Sequence, residues 1–280
     1  MTPRQFLRAV PCLLLCFGPG VQAGPDADLL GRAQGYPAGG TTVRQLLRMS
    51  SGVKFSENYD GNDDISRLSR ATSGIGPRPN ELLKTFNERI NPPGEKFTYA
   101  TAETEVLGRV LTSAAGGKTM TELTSAWLWQ PLGAERDALW RVGVDGQELS
   151  GGGFAATLRD WGRLGMMLAQ DGKVGDQQVV PLPYLLEATD ATRQPAPFAP
   201  GKATPYLGYG YQFRLLPLKT RTYALQGIHG QTVYVQPASG IVMVQTAVYE
   251  GASGKQDPEA YVERSSVWLG VLRSLGGSLN

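Results

Sequence analysis

Apolar residues recur along the first half of the chain at spacings of three and four, the period of a helix packed on one side. Thr42-x-x-Gln45 forms a capping box ahead of Val43, Leu46 and Leu47, and Gly52 is the expected stop. Residues 55–80 are polar and rich in Gly, Asp, Ser and Arg, which predicts a surface excursion. Asn80 then caps a helix carrying Leu82, Leu83, Phe86 and Ile90, ending before Pro92-Pro93. Pro93-Gly94 makes a turn, and Phe97 and Tyr99 alternate with polar neighbours as a short extended segment does. Thr101 is the expected cap of the next helix, whose stripe is Val106, Leu107, Val110 and Leu111. A second box, Thr119-x-x-Glu122, opens a helix with Met120, Leu123 and Trp127 on one side, closed by Gln130-Pro131-Leu132-Gly133. These elements predict a helical part over about 41–135.

After about residue 140 the pattern changes. A glycine-rich run, 150–157, leads into a helix over 158–170, with Leu158, Trp161, Leu164 and Leu168 on one face. Residues 175–205 hold many prolines and read as loop with one short helix near 182–188. Period-two stretches rich in Val, Tyr and Thr follow at 209–216, 222–226, 231–236 and 240–248, which predicts strands. Asp257-Pro258 starts a final helix with Val262, Trp268, Leu269, Leu272 and Leu275 as its buried face, ended by Gly276-Gly277. The whole reads as a mixed α/β chain: an antiparallel sheet packed by helices, with a helical subdomain.

The first residues alter this picture. Arg4 and Arg8, the apolar run 9–17 and Val21-Gln22-Ala23 have the form of a secretory leader over 1–23, too short to span a bilayer. The stretch 24–280 is then one sizeable domain or two small ones, and a periplasmic or secreted address is the expectation. Both cysteines, Cys12 and Cys16, fall in that leader, which leaves no thiol nucleophile, disulfide or Cys-based metal site beyond it. Without Arg4 and Arg8, basic and acidic residues balance, so no nucleic-acid footprint is expected. A single His excludes a multi-His metal site, and no cofactor is expected. Asp60, Asp63 and Asp64 lack the alternation and closing Glu of a calcium loop and read as a solvated group. The glycines at 151–153 have no following Lys-Ser/Thr, so nucleotide binding is not expected.

Candidate chemistry begins at Tyr99, a phenol held at the mouth of a helix beside its positive end, where it can pass protons. The alternative is a Tyr that packs between turn and helix. Ser51-Gly52-Val53-Lys54 spells Ser-x-x-Lys. A working pair needs the Ser at a helix start with the Lys one turn on, whereas Ser51 is expected at a helix end, so the pair reads as a decoy.

Several of these stretches together resemble the serine β-lactamase/DD-peptidase-like hydrolases, the penicillin-recognising family of class C β-lactamases and related esterases and amidases. They are Leu46-Leu47-x-x-x-Ser51-Gly52, Phe97-x-Tyr99-x-Thr101 before Val106-Leu107-Gly108, Pro131-Leu132-Gly133, and Gly227-Ile228-His229-Gly230-Gln231. The run Phe55-Ser56-Glu57-Asn58-Tyr59 resembles the substrate-side loop of the 6-aminohexanoate-oligomer hydrolase branch; the alternative is an ordinary exposed Tyr. The resemblance covers roughly 41–276.

The resemblance implies a β-lactamase/transpeptidase-like fold and acyl transfer on a small amide, ester or peptide-like substrate. Tyr99 would be the acid/base, Thr101 its hydrogen-bonding companion, and Tyr59 would lie on the substrate side. Aligned on Gly230, His229 takes the middle of the family's strand triplet and Gln231 gives an oxyanion N–H; shifted by one, His229 takes the cationic position. Ile228, where the cation normally stands, disfavours a penicillin-type carboxylate. The family's Ser-x-x-Lys helix does not fit before Thr41, so a chain truncated at its N-terminal side, impaired or inactive, is one expectation. A non-catalytic envelope protein that keeps the cleft to bind peptidoglycan or a peptide is the other.

Overall fold

A computed structural model describes residues 41–280 and the backbone of a short strand, β1 (Phe6–Leu7). The expected leader and the stretch 24–40 otherwise lie outside the described residues. Chain order gives helices α1 (Val43–Leu47), α2 (Asp64–Thr72), α3 (Pro79–Thr85), α4 (Thr101–Ala114) and α5 (Met120–Thr124), the last continued by a π-helical turn, Ser125–Trp129. Strands β2 (Leu139–Trp140) and β3 (Phe154–Ala155) complete a small sheet of order β1-β3-β2. After α6 (Leu158–Ala169) come the hairpin β4 (Lys173–Val174) and β5 (Gln177–Gln178), and α7 (Leu182–Thr189). The main sheet is β6 (Gly208–Tyr209), β7 (Arg214–Leu215), β8 (Tyr223–Gln226), β9 (Thr232–Gln236) and β10 (Ile241–Gln245), every pair antiparallel. The last helix is α8 (Pro258–Ser274).

The sheet is covered on both faces. Val233 and Val235 of β9 join Trp161, Leu164 and Leu168 of α6 in a core that continues through α1–α5. Gly165 brings α6 close, since a Cβ there would sit 2.4 Å from Val242. On the opposite face Tyr234 stacks on Trp268 of α8, with ring centroids 5.1 Å apart.

Both capping boxes form as the sequence predicts, at Thr42/Gln45 and Thr119/Glu122. Other boundaries differ, for local reasons. Helix α1 ends at Leu47, not at Gly52, because Met49 turns left-handed at φ 53°. The expected surface excursion contains α2: the Asp63 side chain caps it, and Ile65, Leu68 and Ala71 are buried beneath a polar outer face. Helix α3 starts on Pro79, with Asn80 inside it, and stops at Thr85, leaving Ile90 exposed. Leu158, Val262 and Leu275, expected in buried faces, are exposed as well. The stretch expected as one strand over 209–216 is two, β6 and β7, separated at Gln212, where φ is 63°. Among the described residues no helix is long and apolar enough to cross a membrane, and no metal-binding cluster occurs.

Candidate functional site

Thr101 is the first residue of α4 and not its cap. Ala100 holds that position and offers no side-chain hydrogen bond. The anion at this helix start comes from elsewhere: Glu57 accepts the Thr101 N–H at 2.9 Å and the Thr101 hydroxyl at 2.8 Å. A carboxylate there satisfies an open N–H and faces the positive end of the helix dipole. The same Glu57 oxygen accepts the hydroxyl of Tyr59. Tyr59 is left-handed, φ 61°, and its N–H and that of Asn58 both donate to Asp63 Oδ2 at 2.6 Å. Asp63, expected in a solvated acidic group, therefore caps α2 and braces the Tyr59 turn.

Tyr99 leads into this helix start. Its segment is tied down by Gly94 N–H to Ser50 O and Thr98 N–H to Met49 O, each 2.8 Å. The Tyr99 ring meets Tyr209 edge-on at 6.3 Å, and the Arg214 guanidinium lies 5.0 Å from the Tyr99 centroid. Tyr209 is buried, which pushes its phenol well above 10 and keeps it neutral; the charge on Arg214 opposes that shift. The glycine-rich run passes beneath. Its N–H groups at Ser150 and Gly151 donate to the buried Glu105 of α4, and a Cβ on Gly151 would lie 2.5 Å from Thr101 Cγ2. The run is thus a close crossing under the Thr101 turn.

Ile228–Gly230 form a 3₁₀ turn between β8 and β9, not a continuation of the strand. His229 is left-handed at φ 55°. Its Nδ1 lies 2.8 Å from Tyr249 O. A carbonyl only accepts, so Nδ1 carries a proton and donates to it. The His229 N–H donates to Ala252 O, and its carbonyl accepts from Tyr249 N–H and from the Gln231 side chain. The Tyr261 hydroxyl of α8 donates to Ala252 O at 2.7 Å. The N–H of Gln231 makes only a long contact, 3.4 Å to Ile228 O. Gly230 has φ 85°, and a Cβ there would fall 2.7 Å from the Tyr249 ring.

One side chain is bonded to both groups. Gln256 Nε2 donates to Asn58 O at 3.1 Å and to Tyr59 O at 3.4 Å, while its Oε1 accepts Ala252 N–H at 2.9 Å. Ala252 O holds His229. Tyr59, Tyr99 and Thr101 are gathered around Glu57 and the helix start; His229, Gly230 and Gln231 form the other group; Gln256 links the two. Ser51 and Lys54 are not brought together. Ser51 Oγ is fully buried and donates to Glu103 at 2.6 Å, whereas Lys54 Nζ points outward to Glu88 at 2.9 Å. Sequence reasoning gave no role to Glu57, although it stands inside the quoted 55–59 run. Gln256, Tyr249 and Tyr261 carried no local signal.

A family model described as Beta-lactamase matches residues 24–264. The 6-aminohexanoate-dimer hydrolase of Paenarthrobacter ureafaciens is 25% identical over 263 residues, 90% of this chain and 65% of that protein. This chain therefore spans less than two thirds of the length of that relative. Among solved structures, a candidate 6-aminohexanoate-dimer hydrolase from Bacillus anthracis superposes with a TM-score of 0.77 at 18% identity, over 96% of this chain and 73% of that one. EstCE1, a hydrolase with promiscuous acyltransferase activity, gives 0.65 at 18% identity, over 94% and 85%. At such identities the two structures show a shared fold. The chain belongs to the beta-lactamase family.

Proposed function

We propose that this chain carries two walls of a serine-hydrolase site for amides or esters and, within these 280 residues, no nucleophile to work between them. Acyl transfer adds a hydroxyl to a carbonyl carbon, moves its proton through a relay and expels the amine or alcohol, which takes a proton as it leaves. In this reading Tyr99 is the relay and the Thr101 hydroxyl keeps its company. Gln231 N–H, whose internal contact is a long 3.4 Å to Ile228 O, is one oxyanion donor. His229 belongs to the same turn, and Tyr59 lines the substrate end. The relative from Paenarthrobacter makes 6-aminohexanoate-type amides the first substrates to try.

The observation that carries this reading is the Gln256 clasp, which joins the Tyr59 loop to the His229 turn across the chain. The absent nucleophile is supported by Ser51, whose hydroxyl is buried on Glu103 away from Lys54. Removing the covalent step costs many orders of magnitude in rate. The purified chain, treated with a fluorophosphonate and mapped by mass spectrometry, is expected to carry no serine adduct and to leave 6-aminohexanoate dimer and p-nitrophenyl esters at the buffer rate. A mapped serine adduct, or turnover abolished by Tyr99→Phe, overturns the missing nucleophile. Turnover indifferent to Tyr99→Phe overturns the relay. A periplasmic or secreted address, reached through the leader-like residues 1–23, belongs to the same proposal.

A further inference from the structure

Arg214, on β7, is a cation with no anionic partner among the described residues. Its guanidinium lies 5.0 Å from the ring centroids of Tyr99 and Tyr209 and 5.6 Å from that of Phe97. Among the described residues no carboxylate pairs with it and no carbonyl accepts from it, and it is only half-buried. The acids near enough to act on the neighbouring Tyr209 are Glu57 and Glu103, and both are committed. Glu57 takes the Thr101 N–H, the Thr101 hydroxyl and the Tyr59 hydroxyl. Glu103 takes the Ser51 hydroxyl and N–H. A cation–π contact uses the charge of a guanidinium without taking its N–H hydrogen bonds, and those N–H groups match a carboxylate in a two-point fit.

We propose that Arg214 binds the carboxylate of an acidic ligand whose carbonyl-bearing chain lies along Tyr99. In the register aligned on Gly230, Ile228 stands where the family's strand cation is expected, and Arg214 brings a charge from β7 instead. The ligand class is an amide or ester that also carries a free carboxylate on a short apolar spacer, as an amino-acid oligomer does. This rests on the reading of Tyr99 given above, but its test needs no turnover, so the two fail separately.

Hexanoate and hexanamide, equal in length and differing in charge, are the probes. Isothermal titration of the whole chain is expected to show hexanoate binding about ten-fold or more tightly than hexanamide, with the preference fading as salt rises. In Arg214→Gln the preference vanishes while the weak affinity for hexanamide stays. Should that variant unfold, the wild-type protein still decides: hexanoate, and not hexanamide, must shift the Arg214 side-chain N–H resonance. Equal binding of the two probes, no binding of hexanoate at tens of millimolar, an unmoved Arg214 resonance or a preference that survives in a folded Arg214→Gln each overturn the proposal.

Discussion

Glu57 accepts both the backbone N–H and the hydroxyl of Thr101, at 2.9 and 2.8 Å, from 44 positions earlier in the chain. Helix α4 therefore starts on a borrowed carboxylate and has no cap of its own. Losing a charged N-terminal partner costs about 1–2 kcal/mol. Glu57→Ala is expected to destabilise by that amount in urea unfolding. Glu57→Gln, which keeps an oxygen but no charge, is expected to cost less. Equal stability in all three proteins would show that α4 does not depend on this contact.

Glu103 gives the stability a pH dependence. Its carboxyl is buried, and burial pushes its pKa from 4.5 up to about 8 against the opposing hydrogen bonds from Ser51. The folded chain thus holds a proton that the unfolded chain releases at lower pH. The resulting stabilisation is complete below pH 4.5 and is lost as pH rises to about 8, with a slope of about 1.4 kcal/mol per pH unit for one proton. Glu103→Gln keeps an oxygen for Ser51 and has no proton to titrate. Urea midpoints measured across this range are expected to fall with pH in the wild type more steeply than in the variant. Parallel curves would remove Glu103 from the account.

Gly230 is fixed twice, by φ 85° and by the Tyr249 ring, 2.7 Å from where a Cβ would stand. Gly230→Ala is expected to cost about 1–3 kcal/mol. Adding Tyr249→Ala removes the ring's share of the clash and leaves that with Ala247 Cβ, 2.9 Å away, together with the backbone part, so the double mutant loses less than the two single effects combined. Strict additivity in thermal or urea unfolding would mean that the ring does not press on the glycine.

The cap signals and the late change from helical to alternating period made most of the element order readable, because both are set by neighbours a few positions apart. Helix α2 was hidden because only Ile65, Leu68 and Ala71 face inward among polar residues, although Asp63-x-x-Ser66 marked its start. Thr101 looked like a cap because its side chain is of the right type; the oxygen that replaces it belongs to Glu57. Tyr99, Tyr59 and His229 were singled out as candidates by the family-like spacing around them. The clasp was not: Gln256 meets Asn58 across 198 positions. Nor was the ring cage of Arg214 on β7, whose rings lie on α4's approach and on β6.

The account stands on one site being shared by the helix start at Thr101 and the turn at Gln231. Titrating ¹⁵N-labelled protein with hexanamide and following the backbone amides tests that most directly. The Thr101 and Gln231 resonances are expected to move together along one binding curve. Movement of only one of them, or two curves with different midpoints, would contradict it.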